Sequence, residues 1–357
     1  MRNYNIAVIP GDGIGEEVAP EGVRILDAAA EKAGGFKLNY EYFPWGCNYY
    51  LENGRMMAAD GLDILKKFDA IYFGAVGFPT VPDHISLRGL RIPICQGFDQ
   101  YVCYRPSKIL PGIASPLAVK KEGDIDFVVV RENTEGEYSG AGGRAHRGLP
   151  EEVAIDTTLF TRNGVERIIR YAFKLAQSRR KHLISATKSN AMINTFAFWD
   201  EIFREVSKDF PDVRTESVLI DALAARFVLR PQSLDVVVGS NLHGDVLTDL
   251  GAAICGSMGI APSGNINPER KYPSMFEPVH GSAPDIVGKG IANPIAMIWC
   301  GSMMLDFLGE KQAAGIIETA IAEVTREGRF LTPDLGGSAK TQEVTGAILG
   351  KLGKLPL

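Results

Sequence analysis

Short apolar runs of strand length alternate along the chain with longer segments that have helical periodicity. This alternation is typical of βα units that build a mainly parallel sheet, so the pattern predicts an α/β fold. The predicted strands are 6–9, 70–73, 126–130, 183–186, 217–220 and 235–238, and the predicted helices are 16–32, 165–177, 194–208 and 246–258.

Two segments depart from that alternation. Residues 152–160 alternate between apolar and polar side chains, which predicts a half-exposed strand in a small antiparallel piece. The most apolar stretch, 294–305, is about 12 residues, whereas a membrane span needs ~20. We interpret it as a buried helix with Asn293 as N-cap and Pro294 at the first helical position, and we expect no membrane partner.

Composition narrows the class of protein. A chain of 357 residues suggests two domains, and zones dense in glycine and proline at 74–93 and 259–273 are candidate domain crossings. With 45% apolar and 23% charged residues, wholesale disorder is excluded. A net charge of −5 gives no general attraction to nucleic acid or anionic membrane. Five cysteines without a CxxC pair, and an N-terminus without an apolar signal region, predict a reducing cytoplasm.

A glycine-rich turn, Gly11-Asp12-Gly13-Ile14-Gly15, follows the first predicted strand directly. Such a turn brings backbone N–H groups close to a ligand. A G-x-G-x-x-G fingerprint would need glycine where Glu16 stands, and no acidic residue follows at the expected distance. The turn therefore indicates a glycine-lined site of another kind than a Rossmann fold.

Three aspartates suggest a metal site. Asp245 and Asp249 stand four residues apart at a predicted helix start, so they share one face, and Asp221 ends a predicted strand. Oxygen-only ligands favour Mg²⁺ or Mn²⁺ over Zn²⁺. The alternative for the first two is that acids near a helix N-terminus are favoured by the helix dipole alone.

Other polar residues follow buried strands. Arg131 could clamp a carboxylate, Tyr138 is a candidate proton donor, and Lys188 could serve as a base if it is desolvated. The alternatives are an interdomain salt bridge, a packed surface tyrosine and a solvated loop lysine. The loop 276–294, rich in small residues, could wrap an adenosine, and an acid in it would favour NAD over NADP. No G-x-S-x-G, zinc-ligand or Walker A spacing is found.

Taken in order, these motifs resemble those of the β-decarboxylating hydroxyacid dehydrogenases, the group that includes isocitrate, isopropylmalate and tartrate or D-malate dehydrogenases. The resemblance runs from the strand before Gly11 to the helix after Asn293. The phrases at 81–87, 97–101, 129–138 and 266–270 favour the branch that acts on tartrate or D-malate.

The resemblance implies a two-domain, non-Rossmann α/β fold with a large mixed sheet flanked by helices. Residues 1–101 and 255–357 would form the cofactor-binding domain, and 102–254 the domain for substrate, metal and dimerisation. It also implies a homodimer with shared active sites, NAD with Mn²⁺ or Mg²⁺ as cofactors, and a small dicarboxylate substrate. The sequence leaves open whether K⁺ is a second activator and whether oxidation always leads to decarboxylation.

Roles for individual residues come from the same resemblance. Asp245 and Asp249 of one subunit and Asp221 of its partner would hold the metal, while Arg105 and Arg131 would bind substrate carboxylates. Lys188, reaching in from the partner, would be the base, and Tyr138 the acid that protonates the enolate. The residues expected to contact NAD are Ile14, Gly74, Asn190, Glu277, His280, Gly281, Ser282, Ala283, Asp285, Ile286 and Asn293, with Asp285 selecting NAD.

One position departs from the family pattern. Much of the family has an arginine ten residues before the position of Arg105, and here that residue is Cys95, which by its place is a candidate substrate-binding residue. Arg88 or Arg91 could supply the missing contact to the β-carboxylate, and Arg91 argues against the apolar isopropyl group of isopropylmalate. The alternatives are a 3-isopropylmalate dehydrogenase and a non-catalytic, nucleotide-binding regulatory subunit of the same family.

Overall fold

The structure is a computed structural model that describes residues 1–118 and 120–356. Within them, the strands are β1 (Arg2–Gly11), β2 (Phe36–Tyr42), β3 (Ala70–Ala75), β4 (Val102–Lys108), β5 (Asp126–Glu132), β6 (Gly142–Ala145), β7 (Val153–Asp156), β8 (His182–Thr187), β9 (Arg214–Leu219), β10 (Val236–Gly239), β11 (Pro262–Ile266) and β12 (Ser274–Pro278). The α-helices are α1 (Gly15–Ala33), α2 (Cys47–Asn53), α3 (Gly61–Leu65), α4 (Asp83–Ser86), α5 (Ile92–Gly97), α6 (Arg162–Ser178), α7 (Thr195–Ser207), α8 (Ile220–Leu229), α9 (Asn241–Ile254), α10 (Ile295–Leu308), α11 (Lys311–Glu327) and α12 (Thr341–Lys354). A π-helical segment, Leu87–Arg91, joins α4 to α5.

Every strand and helix expected from the pattern is present, and the half-exposed strand at 152–160 is confirmed as β7, which pairs antiparallel with β6. The bounds of one helix were wrong: α9 begins at Asn241, not at residue 246. The Glu137 carboxylate accepts a hydrogen bond from the backbone N–H of Leu242 at 3.1 Å, which stabilises this earlier start. Before α10, the Asn293 side chain accepts the N–H of Ile295 at 3.0 Å, and the helix begins one residue after Pro294.

The chain divides into two interleaved units. The outer unit comprises Met1–Gln100, Pro106–Ile125 and Ala252–Leu357, and the middle unit comprises Tyr101–Arg105 and Asp126–Gly251. The segment Pro106–Ile125 differs from the sequence-based ranges, which placed it in the middle domain. It belongs with the outer unit because the Ser115 hydroxyl donates to the Ile254 carbonyl at 2.6 Å, and because Gly112 lies against the Thr325 carbonyl.

The glycine- and proline-dense zones are not domain crossings, because both lie within the outer unit. Close packing accounts for two of their glycines. A Cβ on Gly74 would lie 2.3 Å from the Pro10 carbonyl oxygen, and one on Gly264 would lie 3.2 Å from the Phe276 ring. Glycine content therefore marks tight packing here, not a linker.

The outer unit is built on the strand order β2-β1-β3-β12-β11. These strands are parallel except for the antiparallel pair β11 and β12, so the predicted mixed sheet is confirmed. Helices α1 and α10 pack on these strands, and α11 and α12 pack on those helices. The buried Tyr72 hydroxyl donates to the Met297 carbonyl at 2.6 Å. That hydrogen bond ties β3 to α10 across the core.

The middle unit is built on the strand order β5-β10-β8-β9, in which all neighbours are parallel. Helix α6 packs on β5, β10 and β8, and α7 packs on β8. The buried Trp199 of α7 donates its indole N–H to the Ser185 hydroxyl at 2.9 Å. The β6–β7 hairpin, which we call the arm, is exposed along both strands.

Candidate active site

The carboxyl ends of four neighbouring strands meet along one edge of the middle unit's sheet. Arg131 lies near the end of β5, in register with Gly239 at the end of β10, where Asn241 begins α9. Lys188 follows β8, and Asp221 lies in the first turn of α8, directly after β9. Parallel strands place their ligand sites at this edge, and the fold brings Arg131, Lys188 and Asp221 to it.

Asp245 is the centre of one cluster at this edge. Its Oδ1 accepts hydrogen bonds from Arg131 Nη1 at 2.5 Å and from Arg105 Nη1 at 3.1 Å, and its Oδ2 accepts one from the Tyr138 hydroxyl at 3.1 Å. The two arginine side chains are buried, 2% and 7% exposed, whereas that of Asp245 is 34% exposed. Three predicted site residues therefore converge on a carboxylate that solvent can still reach.

Asp249 lies one turn further along α9, on the same face as Asp245. The pKa of the Asp249 carboxyl is raised, mainly because the group is buried. The positive charges of Arg105 and Arg131 oppose this shift, and the negative charge of Asp245 adds to it. Because α9 begins at Asn241, neither aspartate is in its first turn, so the helix-dipole explanation does not account for them.

Lys188 and Asp221 form a second, separate pair. Lys188 Nζ donates to Asp221 Oδ1 at 2.7 Å, and this hydrogen bond lowers the pKa of Asp221. The Asp221 side chain is 65% exposed. In the part of the chain that the structure describes, no three His, Cys, Asp or Glu side chains lie close enough to hold a metal ion, so one chain does not bring Asp221 to Asp245 and Asp249.

Sequence reasoning missed residues that fix this cluster. Arg131 Nη2 donates to Asn241 Oδ1 at 2.5 Å, and Arg105 Nη1 donates to Thr248 Oγ1 at 2.7 Å. The Glu137 carboxylate accepts from the Ser240 hydroxyl at 2.9 Å and from the N–H of Leu242, so the loop that carries Tyr138 is tied to the start of α9. The three glutamates between residues 132 and 137 are the sequence feature that could have indicated that this loop is held by carboxylates.

Glu132 is buried at the other end of that loop. Its carboxylate accepts hydrogen bonds from the Thr134 N–H and hydroxyl at 2.9 and 2.8 Å and from the Glu135 N–H at 2.9 Å. Burial outweighs these hydrogen bonds and raises the pKa of Glu132 to about 7. Glu132 therefore shapes the turn that follows Arg131.

The glycine turn of the outer unit contacts the loop after β12. The Ile14 N–H donates to the Ser282 carbonyl at 2.9 Å, and Gly13, at φ 59°, leaves no room for a Cβ beside that carbonyl. Asp12, which the sequence did not single out as a site residue, is buried and accepts from the N–H groups of Cys47 at 2.7 Å and Gly77 at 2.9 Å. Asp12 therefore connects the glycine turn to the segment after β2 and to the segment after β3.

The loop after β12 holds most of the predicted cofactor residues. The buried His280 Nε2 has no hydrogen-bond partner within residues 1–118 and 120–356, and a Cβ on Gly281 would meet open space. Burial lowers the pKa of His280. Asp285 is exposed, Ile286 donates its N–H to the Ala283 carbonyl at 3.1 Å, and Asn293 Nδ2 donates to Asp334 Oδ2 at 3.1 Å.

The remaining predicted residues are placed as follows. Arg91 Nε donates to Glu277 Oε1 at 2.7 Å within the outer unit, and Cys95 is buried on α5. Asn190 is exposed, two residues after Lys188 in the middle unit. All five cysteines are buried, and in the described part of the chain none forms a disulfide.

Comparison with known proteins gives consistent results. The sequence model of the isocitrate/isopropylmalate dehydrogenase family matches residues 5–348. The chain is 59% identical to a probable tartrate dehydrogenase/decarboxylase from Agrobacterium vitis, over 98% of this chain and 97% of the relative. It is 56% identical to the decarboxylating D-malate dehydrogenase of Escherichia coli K12, over 98% of each chain, and 53% identical to the tartrate dehydrogenase/decarboxylase of Pseudomonas putida, over 99% of each.

Among solved structures, isocitrate dehydrogenase from Methylococcus capsulatus matches with a TM-score of 0.87 and 34% identity, over 98% of this chain and 99% of that one. Across residues 1–118 and 120–356, no helix has both the length and the apolar character for crossing a bilayer. The family match over nearly the whole chain, together with the identity to these relatives, identifies this chain as a member of the isocitrate/isopropylmalate dehydrogenase family and as a dehydrogenase of hydroxy acids.

Proposed function

We propose that this enzyme oxidises tartrate or D-malate by hydride transfer to NAD⁺, with loss of the β-carboxylate as CO₂ when the oxidised product is a β-keto acid. Relatives at 53–59% identity carry those two substrates in their names. The observation that carries the proposal is the convergence of Arg105, Arg131 and Tyr138 on Asp245. In this cluster, the two arginines can bind the carboxylates of a dicarboxylate, and the Tyr138 hydroxyl can transfer a proton.

The two buried arginines are suited to bind substrate carboxylates. Arg131 is held by Asn241 and Arg105 by Thr248, so each guanidinium is oriented before a substrate arrives. Tyr138 lies over Arg131, with 5.3 Å from the ring centroid to the guanidinium carbon, and we assign to its hydroxyl the protonation of the enolate carbon after decarboxylation. Lys188 Nζ, from the partner subunit, would take the proton of the substrate hydroxyl as hydride leaves.

Dehydrogenases of this family generally use NAD and a divalent metal. Asp245 and Asp249, with Asp221 of the partner subunit, form a set of hard oxygen donors that suits Mn²⁺ or Mg²⁺. A divalent cation there supplies Lewis acidity toward the hydroxyl and the enolate oxygen. The two aspartates on one face of α9 and the exposed Asp221 support this assignment.

For the nicotinamide cofactor, the loop after β12 supports binding through its own chemistry. His280 Nε2 is a buried polar atom without a partner in the described residues, and the backbone at Gly281 faces open space. The exposed Asp285 can accept a hydrogen bond from a ribose hydroxyl and would repel a 2′-phosphate, which favours NAD over NADP.

The five cysteines bear on the cell compartment. They are buried and, within the described residues, form no disulfide, which favours a reducing cytoplasm.

A homodimer with shared sites is supported by the exposed surface of the middle unit. Leu229 on α8 and Val246 on α9 are 73% and 57% exposed, and Ile155 on the arm is 59% exposed. A second copy that covered these side chains would remove their apolar area from water. Lys188 and Asp221 lie in the same unit and are partly exposed, and we propose that they enter the active site of the partner subunit.

Initial rates of NADH formation by the purified enzyme test the substrate. With NAD⁺ and Mn²⁺, we expect turnover of D-malate or tartrate, loss of that turnover when EDTA removes the metal, and recovery when Mn²⁺ is added in excess. A kcat/KM for 3-isopropylmalate more than about tenfold above both would contradict the substrate assignment. Intact NADH binding without turnover of any of the three acids would instead favour a regulatory subunit.

A further inference from the structure

Arg91 lies in a network of polar side chains inside the outer unit. Its Nε donates to Glu277 Oε1 at 2.7 Å, its Nη2 contacts Asn265 Oδ1 at 3.2 Å, and Asn265 Nδ2 donates to the same Glu277 oxygen at 2.6 Å. The Arg91 side chain is 11% exposed and that of Glu277 6%. Arg91 and Asn265 therefore both hold one buried carboxylate.

The network joins segments that are far apart in sequence. Arg91 ends the π-helical segment Leu87–Arg91, in which the Ile92 N–H donates to the Leu87 carbonyl five residues back. Asn265 lies on β11, and Glu277 is the penultimate residue of β12. The loop with His280, Gly281 and Ser282 starts directly after that strand, so the position of Glu277 fixes where this loop begins.

Electrostatics disfavour Arg91 as a ligand for a substrate carboxylate. A buried carboxylate without a charged partner is strongly destabilising, so the Glu277 carboxylate needs the charge of Arg91 in the folded protein. A second carboxylate that approached Arg91 would meet the negative charge of Glu277 a few ångströms away. Arg88, three residues earlier on the same segment, is exposed, and among the described contacts it has no ion pair with a carboxylate.

We propose that Arg91 is a positioning residue for the cofactor loop: it holds Glu277, and through Glu277 the start of the loop after β12, so its loss weakens dinucleotide binding and not the binding of the hydroxy acid. This inference rests on the proposed use of NAD. It replaces the sequence-based hypothesis that Arg91 grips the β-carboxylate with a role in the outer unit.

NADH binding to the purified enzyme without substrate, followed by fluorescence titration, tests the proposal. Arg91→Met is expected to raise the Kd for NADH by about tenfold or more and to change the substrate KM at saturating NAD⁺ by less than about twofold. Arg91→Lys is expected to weaken NADH binding as well, because a single ammonium cannot reproduce the two directed contacts to Glu277 and Asn265. Arg88→Met, the matched loss of charge from the same segment, is expected to leave the Kd for NADH unchanged.

A double-mutant cycle keeps the proposal testable if Arg91→Met alone fails to fold. Glu277→Gln removes the buried charge, and adding Arg91→Met to that background is expected to raise the Kd for NADH by less than about twofold, since Arg91 acts through Glu277. Wild-type NADH affinity in Arg91→Met, with a tenfold rise in substrate KM, would overturn the proposal and make Arg91 a substrate ligand. If the unaltered enzyme itself fails to bind NADH, the cofactor assignment fails, which is a separate result.

Discussion

At the scale of single residues, Asp245 is the counter-charge of the two arginines that we propose as substrate ligands. Arg105 and Arg131 are buried, and a buried guanidinium without a counter-charge would cost several kcal/mol. Asp245 supplies this counter-charge, and its own exposure leaves one side open to a ligand. The residue that would hold the cation thus also keeps the arginines in place.

Replacing Lys188 by alanine tests the proposed base. We expect kcat to fall by about 10²- to 10⁴-fold, because a general base contributes on that order, while the Kd for NADH stays the same. Steady-state kinetics and NADH titration measure the two effects. The matched control is Lys208→Ala, which removes an exposed lysine from the same unit and should leave kcat unchanged. A Lys188→Ala enzyme within twofold of the original kcat would rule out this role.

At the scale of elements, the loop 132–138 is fixed at both ends by carboxylates. Glu132 accepts three hydrogen bonds at its start, and Glu137 accepts two from the start of α9. Tyr138, next to Glu137, reaches Asp245 from this loop. The geometry of the proposed proton donor therefore depends on a cap of α9.

Removing that cap by Glu137→Ala is expected to cost about 1 kcal/mol of stability, which lowers Tm by about 1–2 °C, and to lower kcat because Tyr138 is held less firmly. Calorimetry and kinetics at saturating NAD⁺ follow both changes. Glu151→Ala, at an exposed position before β7, serves as the control and should change neither value. An unchanged kcat in Glu137→Ala would show that the cap does not position Tyr138.

Glu132 makes a pH-dependent contribution to stability. Its pKa is raised from 4.5 to about 7 in the folded chain, so the native state binds more protons than the unfolded state between these values. The contribution is fully present below pH ~4.5 and is lost as pH rises through about 7, by on the order of 1–3 kcal/mol. We expect Glu132→Gln to flatten the fall of unfolding free energy between pH 5 and about 7.5 in urea titrations. Equal slopes for both proteins would contradict the raised pKa.

The hydrophobic pattern predicted the strands that contain an uninterrupted or nearly uninterrupted apolar stretch, such as β3, β5 and β8. It gave no signal for β11 and β12, because polar residues such as Asn265 and Glu277 lie in them and satisfy each other across the sheet. The family resemblance brought Arg105, Arg131 and Tyr138 into one site. The hydrogen bonds of Glu137 and Asp12 connect segments that are distant in sequence. The spacing of apolar residues along the chain does not predict such contacts.

At the scale of the whole molecule, one chain holds only part of the proposed site. Asp245 and Asp249 form one cluster, whereas Lys188 and Asp221 form an exposed pair that no third metal-ligating side chain joins within the described residues. The proposed second copy would supply the missing residues from its own Lys188 and Asp221. The central claim is therefore that two chains complete each active site.

Complementation between two inactive variants tests this claim most directly. Lys188→Ala and Asp249→Asn, co-expressed with different affinity tags and purified through both, give a heterodimer in which one site combines the intact Asp249 with the intact Lys188 of the partner subunit. We expect each variant alone to have about 1% or less of the original kcat and the heterodimer to regain about half, since one of two sites is whole. A heterodimer as inactive as its parents would show that each site is built within a single chain.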